Sequence, residues 1–366
     1  MPPLEAWERV LVDLQILQDS EHGAIACVDC HAGVESPQKE TAHAGLIADP
    51  SEDFQSTCGT CHPAQSQAQL TNLHYTLEGY DTSLHARSYE DAWPALEEME
   101  ANHCDSCHTT CGQCHVSQPA NVGGGLLAGH AYVRTPPMTR TCTACHGSRV
   151  GNEFLGKNEG VLADVHFRQA RMVCVDCHVS DDMHGETSVG DEHRYDGIAR
   201  PSCTDCHPDV VSGESEIMQH NLHTDILACQ VCHSVEYKSC DGCHVQQTED
   251  GVPYFETDNS YMTFYIGLNP LQSEERPYQY VLLRHVPVAP DSFDYYGDNL
   301  LALFNSLPTW RYATPHNIQR ETPQNSACEN CHGSDQYFLT AEVVAPLELE
   351  ANQPVIVENG PSALGQ

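Results

Sequence analysis

Residues 27–31 read Cys-Val-Asp-Cys-His, and the same Cys-x-x-Cys-His frame returns nine more times. It begins again at Cys58, Cys104, Cys111, Cys142, Cys174, Cys203, Cys229, Cys240 and Cys328. The second thiols are Cys30, Cys61, Cys107, Cys114, Cys145, Cys177, Cys206, Cys232, Cys243 and Cys331, so all 20 cysteines are used. The closing histidines are His31, His62, His108, His115, His146, His178, His207, His233, His244 and His332. Zinc sites and disulfides also use Cys-x-x-Cys, but neither chemistry requires a histidine next. Histidine accounts for 23 of 366 residues, so ten successes in ten are not chance. The spacing is the attachment signature of c-type haem: two thioethers fix one porphyrin edge, and the adjacent imidazole meets the iron. Ten covalently attached haems are expected.

Ten haems in 366 residues leave little chain per cofactor. The apolar fraction is 40% and the aromatic fraction 7%, so porphyrin faces are expected to supply much of the core. The predicted fold is mostly irregular, with short α-helices and little β-structure, packed around haem. The 25 glycines and 22 prolines agree with many turns. Net charge is −36, with lysine only at Lys39, Lys157 and Lys238. A chain so acidic has no basic stripe to meet phosphates, which excludes nucleic acid as a partner. No run of eighteen apolar residues exists, so no membrane-spanning helix is predicted. The first residues, Met-Pro-Pro-Leu-Glu-Ala-Trp-Glu-Arg-Val, carry neither the basic nor the apolar region of a signal peptide. Because c-type attachment takes place outside the cytoplasm, an exported protein, periplasmic or extracellular, is expected, with its leader absent from this numbering.

The motifs divide into two sets of five that match in order. Both sets start with Cys-Val-Asp-Cys-His, at Cys27 and Cys174. In the second motif the histidine precedes proline, His62-Pro63 and His207-Pro208, and Asn-Leu-His follows at 72–74 and 221–223. The third and fourth form close pairs, Cys104 with Cys111 and Cys229 with Cys240, each closing on Cys-His-Val; the fifth reads Cys-His-Gly-Ser. This predicts two duplicated pentahaem modules, 22–160 and 161–334, preceded by a segment 1–21 and followed by a tail 335–366. A haem-free insertion, 245–327, holds most of the tyrosines and the aromatic runs 261–265, 278–280 and 294–296. Strands or a hairpin are expected near Tyr280 to Val288. The tail, ending Pro354-Val-Ile-Val-Glu-Asn-Gly-Pro361, is read as extended chain that packs back or adds to a neighbour's edge.

A second histidine closes a haem iron and makes it an electron-transfer centre; an open face can bind and activate a small molecule. Thirteen histidines remain for ten irons. His22 and His166 precede the first motif of each set, His43 and His184 follow it, His74 and His223 share Asn-Leu-His, and His130 and His316 lie twelve residues before the fifth motif. These eight are assigned as distal ligands. The fifth distal position stays open between His85 and His103 in the first set, and among His193, His220 and His285 in the second.

With these motifs, residues 22–334 resemble a multihaem (decahaem) c-type cytochrome of the bis-histidine electron-conduit kind. The duplication is similar to periplasmic decahaem conduits that pass electrons through an outer-membrane porin. There is no room for the β-barrel domains of cell-surface decahaem reductases. The resemblance implies an electron carrier rather than an enzyme, serving anaerobic or extracellular respiration, with other multihaem cytochromes as redox partners. It extends to extracellular cytochrome filaments, in which self-assembly lets a histidine of one subunit ligate a haem in the next. The alternative is an octahaem-reductase-like oxidoreductase with one open iron, acting on nitrogen or sulfur oxyanions; Val165-His166-Phe167 and Met172-Val173-Cys174 resemble that group.

Overall fold

The computed structural model describes residues 4–105, 109–184, 193–196, 201–211, 213, 215–286 and 288–365, without the side chains of 239–243 and 257–261. Short helices, turns and irregular chain dominate, with two small sheets. Among the described residues no helix is long and apolar enough to cross a membrane.

The Cys-x-x-Cys-His motifs make their own local structure. Cys27–His31, Cys111–His115, Cys142–His146 and Cys229–His233 are each one turn and a half of α-helix, and Cys174–Cys177 is a shorter one. Residues three apart lie on one helical face, so both thiols point the same way. The third motif position often caps the turn by reaching back to the residue before the first cysteine. Asp29 accepts from Ala26 N–H at 3.2 Å, Asp176 from Val173 N–H at 2.6 Å, and Gln113 from Thr110 N–H at 3.2 Å. At His62 and His207 the following proline starts a new helix, Pro63–Gln69 or Pro208–Val210, where its missing N–H costs nothing.

The chain forms two compact units, each gathered from several segments: Met1–Gly79, Cys104–Ser148 and Val173–Gly197 in one, Tyr80–His103, Arg149–Met172 and Ile198–Gln366 in the other. Their interiors differ. Among described residues of the first unit, only Phe54 and Leu127 are fully buried apolar side chains. Packing that poor cannot offset the entropy of ordering the chain; the unit's other buried residues are mostly polar, among them Ser51, Ser66, Gln69, Asn72, Thr110 and Asp182.

The second unit holds a conventional core. Strand β1 (Tyr237–Gln247) pairs antiparallel with β2 (Pro253–Met262). The motif Cys240–His244 therefore lies on a strand, not the expected helical turn, and the register slips between Asp241 and Cys243. Strands β3 (Phe264–Leu268), β4 (Tyr280–His285) and β5 (Trp310–Tyr312) form an antiparallel sheet in that order. Four of the five strands lie wholly or mainly in the haem-free insertion, where β-structure was expected. The core is built on Ile266, Val281, Leu282, Leu283, Trp310, Phe338, Leu339 and Val355.

Of the two courses predicted for the tail, it takes the first and packs back. Ile266 N–H donates to Tyr337 O at 2.7 Å and Leu339 N–H to Ile266 O at 2.9 Å, so the tail covers the free edge of β3. Gly267 permits this approach: a Cβ there would collide with Leu283 Cδ1 and stand 2.7 Å from Val355 O. Leu283 is 0% exposed, so Leu283→Ala should lower stability by about 2–5 kcal/mol. Urea unfolding followed by far-ultraviolet circular dichroism measures it.

Candidate functional site: opposed histidine pairs

Seven closing histidines face a histidine from elsewhere in the chain. In the first unit the pairs are His31 with His130 at 6.0 Å between ring centroids, His62 with His22 at 6.2 Å, His115 with His184 at 6.1 Å and His146 with His74 at 5.9 Å. The second unit pairs His207 with His166 at 6.1 Å, His233 with His220 at 6.2 Å and His332 with His223 at 6.2 Å. A metal–imidazole bond of about 2.0 Å, with nitrogen about 1.1 Å from the ring centre, puts two trans imidazoles about 6.2 Å apart. Each pair is thus spaced for one metal atom between two rings. No cluster of three or more His, Cys, Asp or Glu suited to a bare ion exists among the described residues. The donor set of two imidazoles beside two thiols fits a haem iron, whose other four ligands come from the porphyrin.

The rings are held so that Nε2 is left for a metal. His31 Nδ1 lies 2.8 Å from Ile47 O, His115 Nδ1 2.7 Å from Val133 O, and His233 Nδ1 3.0 Å from Gln319 O. In all three the same residue's N–H donates to the carbonyl of the histidine, so one backbone segment clamps both ring and main chain. His223 Nδ1 meets Gln219 O at 2.9 Å and His332 Nδ1 meets Ser362 O at 3.2 Å. Such N–H···O bonds select the tautomer with a free Nε2 lone pair. Burial, then the neighbouring His146, His178 and His184, pushes the pKa of His74 down to about 4. Burial followed by His62 lowers His22 as well. These imidazoles are kept neutral, the form a metal needs.

His166 is the exception. Its Nδ1 lies 3.1 Å from Oδ1 of Asp164, a carboxylate 2% exposed, whose Oδ1 also accepts from His166 N–H and whose Oδ2 accepts from Ile318 N–H. The hydrogen bond to Asp164 raises the pKa of His166 against the effect of burial. A carboxylate partner makes an imidazole a stronger donor than a carbonyl does.

Of the eight distal ligands expected from duplication, His22, His74, His130, His166, His184 and His223 stand in these pairs. His220, one of the open candidates, faces His233. His43 is exposed and meets no other histidine ring among the described residues. The backbone N–H of His316 donates to Glu153 Oε2 at 2.6 Å, and Glu153 also accepts from Tyr237. The remaining candidates have other partners. His285 Nε2 is 2.9 Å from Glu348 Oε2, His103 Nε2 is 2.9 Å from Tyr296 Oη, and His85 stacks on Trp93 at 4.4 Å. His193 Nδ1 accepts from Tyr195 N–H at 3.3 Å. Among the closing histidines, His108 with Cys107 lies outside the described residues, as do the side chains of Cys240 and Cys243; His244 sits on β1 opposite Glu256. Cys104 is half-buried at the end of the chain leading into its motif.

Thiols of different motifs also meet. The neighbouring thiol lowers the pKa of Cys58 (from Cys111), of Cys142 (from Cys174) and of Cys229 (from Cys203). No disulfide joins the described cysteines. The order-matched reading set Cys104 beside Cys229 and Cys111 beside Cys240. By contacts, Cys111 is instead the equivalent of Cys229: each touches the second motif of its set, and each closing histidine is clamped by a residue three positions after His130 or His316.

Sequence reasoning did not anticipate Asp164, the carbonyl clamps, or Tyr132, stacked on His22 at 3.9 Å. The clamps are backbone and leave no side-chain signal. Asp164 lies two residues before His166, a spacing shared by Asn72 and His74, whose Nδ1 and Oδ1 are 3.0 Å apart. No protein-family model, curated protein or solved structure matches this chain.

In the haem-loaded protein, His130→Ala should create one five-coordinate iron while the others keep their spectra. His285→Ala should change none, since Glu348 holds that ring; resonance Raman spin-state bands separate the two outcomes. Asp164→Asn should raise the reduction potential of one haem by weakening donation from His166, read by spectroelectrochemical titration.

Proposed function

We propose that this chain is a decahaem c-type cytochrome that carries electrons along closely spaced bis-histidine haems. The observation that carries the reading is the set of seven histidine pairs, 5.9–6.2 Å apart, each including the closing residue of a Cys-x-x-Cys-His motif. When bound, each haem iron supplies a one-electron couple. The chain's part is to close both axial positions, keep the ligating rings neutral, and hold attachment sites edge to edge. The thiol contacts Cys58–Cys111, Cys142–Cys174 and Cys203–Cys229 support short steps between neighbouring haems, since each brings two porphyrin edges together.

The finer architecture is two pentahaem modules from one duplication, with Cys111 and Cys229 as counterparts. The extra close-pair motifs, Cys104 and Cys240, then occupy different places in the two modules. The protein acts outside the cytoplasm in anaerobic or extracellular respiration, exchanging electrons with other multihaem cytochromes. Self-assembly into filaments has one specific support: His184, the counterpart of His43, faces His115, whereas His43 is exposed and faces no histidine among the described residues. That ring is available to a haem of a second copy.

Low-temperature electron paramagnetic resonance of the oxidised, native protein tests the central claim. Low-spin ferric signals alone are expected; a substantial high-spin signal in native material would overturn the closed-iron reading and favour an open catalytic haem. Turnover of nitrite or sulfite with reduced viologen is expected to be nil.

A further inference from the structure

Three histidine sites of the first unit meet at one short segment, residues 130–133. His130 faces His31 at 6.0 Å between ring centroids. Tyr132 stacks on His22, the ring that faces His62, with centroids 3.9 Å apart and planes 17° from parallel. Val133 clamps His115 through both its N–H and its carbonyl. The Tyr132 ring also lies 5.4 Å from that of His130, so it bridges histidines of two different pairs. His130 takes φ +74°, in the left-handed region that non-glycine residues rarely occupy. Such a turn persists only where its neighbours hold it.

The second unit carries the counterpart segment, 316–319, in which Gln319 clamps His233 as Val133 clamps His115. Ile318 stands there in the place of Tyr132. It offers no aromatic ring, and its backbone anchors Asp164 instead: Ile318 N–H donates to Asp164 Oδ2 at 2.7 Å, while Asp164 Oδ1 holds the ring of His166. His166 is the counterpart of His22, since each faces the closing histidine of a second motif, His207 or His62. Two residues before His22 the chain has Ser20, not a carboxylate, and its hydroxyl donates to Leu17 O at 2.6 Å. Equivalent imidazoles are therefore held by different means, a carboxylate in one unit and an aromatic face in the other. An imidazole bound to a metal through one nitrogen turns about that bond unless its plane is fixed. A stacked ring fixes the plane without adding charge.

We propose that Tyr132 is a positioning residue for His22: its ring sets the plane of that imidazole opposite His62, the part that Asp164 plays for His166. The inference rests on the electron-carrier reading above. Its consequence is a difference in potential between counterpart centres, since a carboxylate partner makes an imidazole a stronger donor and an aromatic face does not. The centre at His207 has the lower potential of the two.

Electron paramagnetic resonance and spectroelectrochemical titration of the full-length, haem-loaded protein test it, with His22→Ala marking which haem belongs to this site. The rhombicity of a low-spin ferric signal reports the angle between its two imidazole planes. Tyr132→Ile, which installs the counterpart's residue, should change the signal of that one haem and leave the others as they are. Tyr132→Phe should keep the native signal, because the aromatic face remains. Adding Ser20→Asp to Tyr132→Ile should restore one ordered low-spin signal at a potential below the native one. The expected size is at least a tenfold change in the reduced-to-oxidised ratio at fixed potential, about 59 mV for one electron. Tyr132→Leu carries the same measurement if Tyr132→Ile does not accumulate. A native signal without the aromatic ring, or a signal lost equally in Tyr132→Phe, overturns the proposal. Attached haem is counted by mass first: a chain without haem sinks the electron-carrier reading, whereas a fully loaded chain with an unmoved signal sinks the role of Tyr132 alone.

Discussion

A metal held between two imidazoles demands that rings from distant parts of the chain stop about 6 Å apart, with one nitrogen of each facing inward. The histidine pairs of this protein obey that demand seven times, and much of the surrounding structure serves it. Backbone segments at Ile47, Val133 and Gln319 tie down both ring and main chain of a closing histidine. Burial lowers the pKa of His74 and of His22, which favours the neutral ring. Where a motif forms an α-helical turn, as at Cys27, Cys111, Cys142 and Cys229, the turn sets two thiols on one face with the imidazole beside them.

The same demand explains the contrast between the units. The sheet β3-β4-β5 and the tail packed on its edge form a hydrophobic core that stands on ordinary apolar burial. The first unit, with Phe54 and Leu127 as its fully buried apolar side chains among described residues, has no such source of stability. On the function proposed above, porphyrin faces would be the apolar surface its motifs bring in. The acidic exterior and the neutral imidazoles within are two sides of one electrostatic arrangement. Asp164 departs from it, since its hydrogen bond raises the pKa of His166 where burial alone would lower it.

Repetition in sequence did not translate directly into equivalence in space. Cys104 and Cys111 looked like Cys229 and Cys240 because both pairs are close and both end in Cys-His-Val. Contacts group Cys111 with Cys229 instead, and Cys240 lies on a strand rather than a helical turn. Asn-Leu-His likewise recurs at His74 and His223, yet Asn72 holds the ring in the first case and Gln219 O in the second. Local identity repeats the residues; the neighbours that fill hydrogen-bond positions depend on what packs nearby.

The motif residues, the short helices and the strand region near Tyr280 were legible in the sequence, and six of the eight histidines assigned by repetition face a closing histidine. Spacing of thiols and imidazole is a local constraint, and the repeated motifs carry histidines at matching offsets. Which of these rings meets which closing histidine was not legible, because that depends on how segments about a hundred residues apart cross. His31 with His130 and His223 with His332 illustrate it. Nor could spacing show that His285 turns to Glu348 or that Gly267 admits the tail. Those follow from packing, where a side chain's role is decided by the nearest partner the folded chain offers.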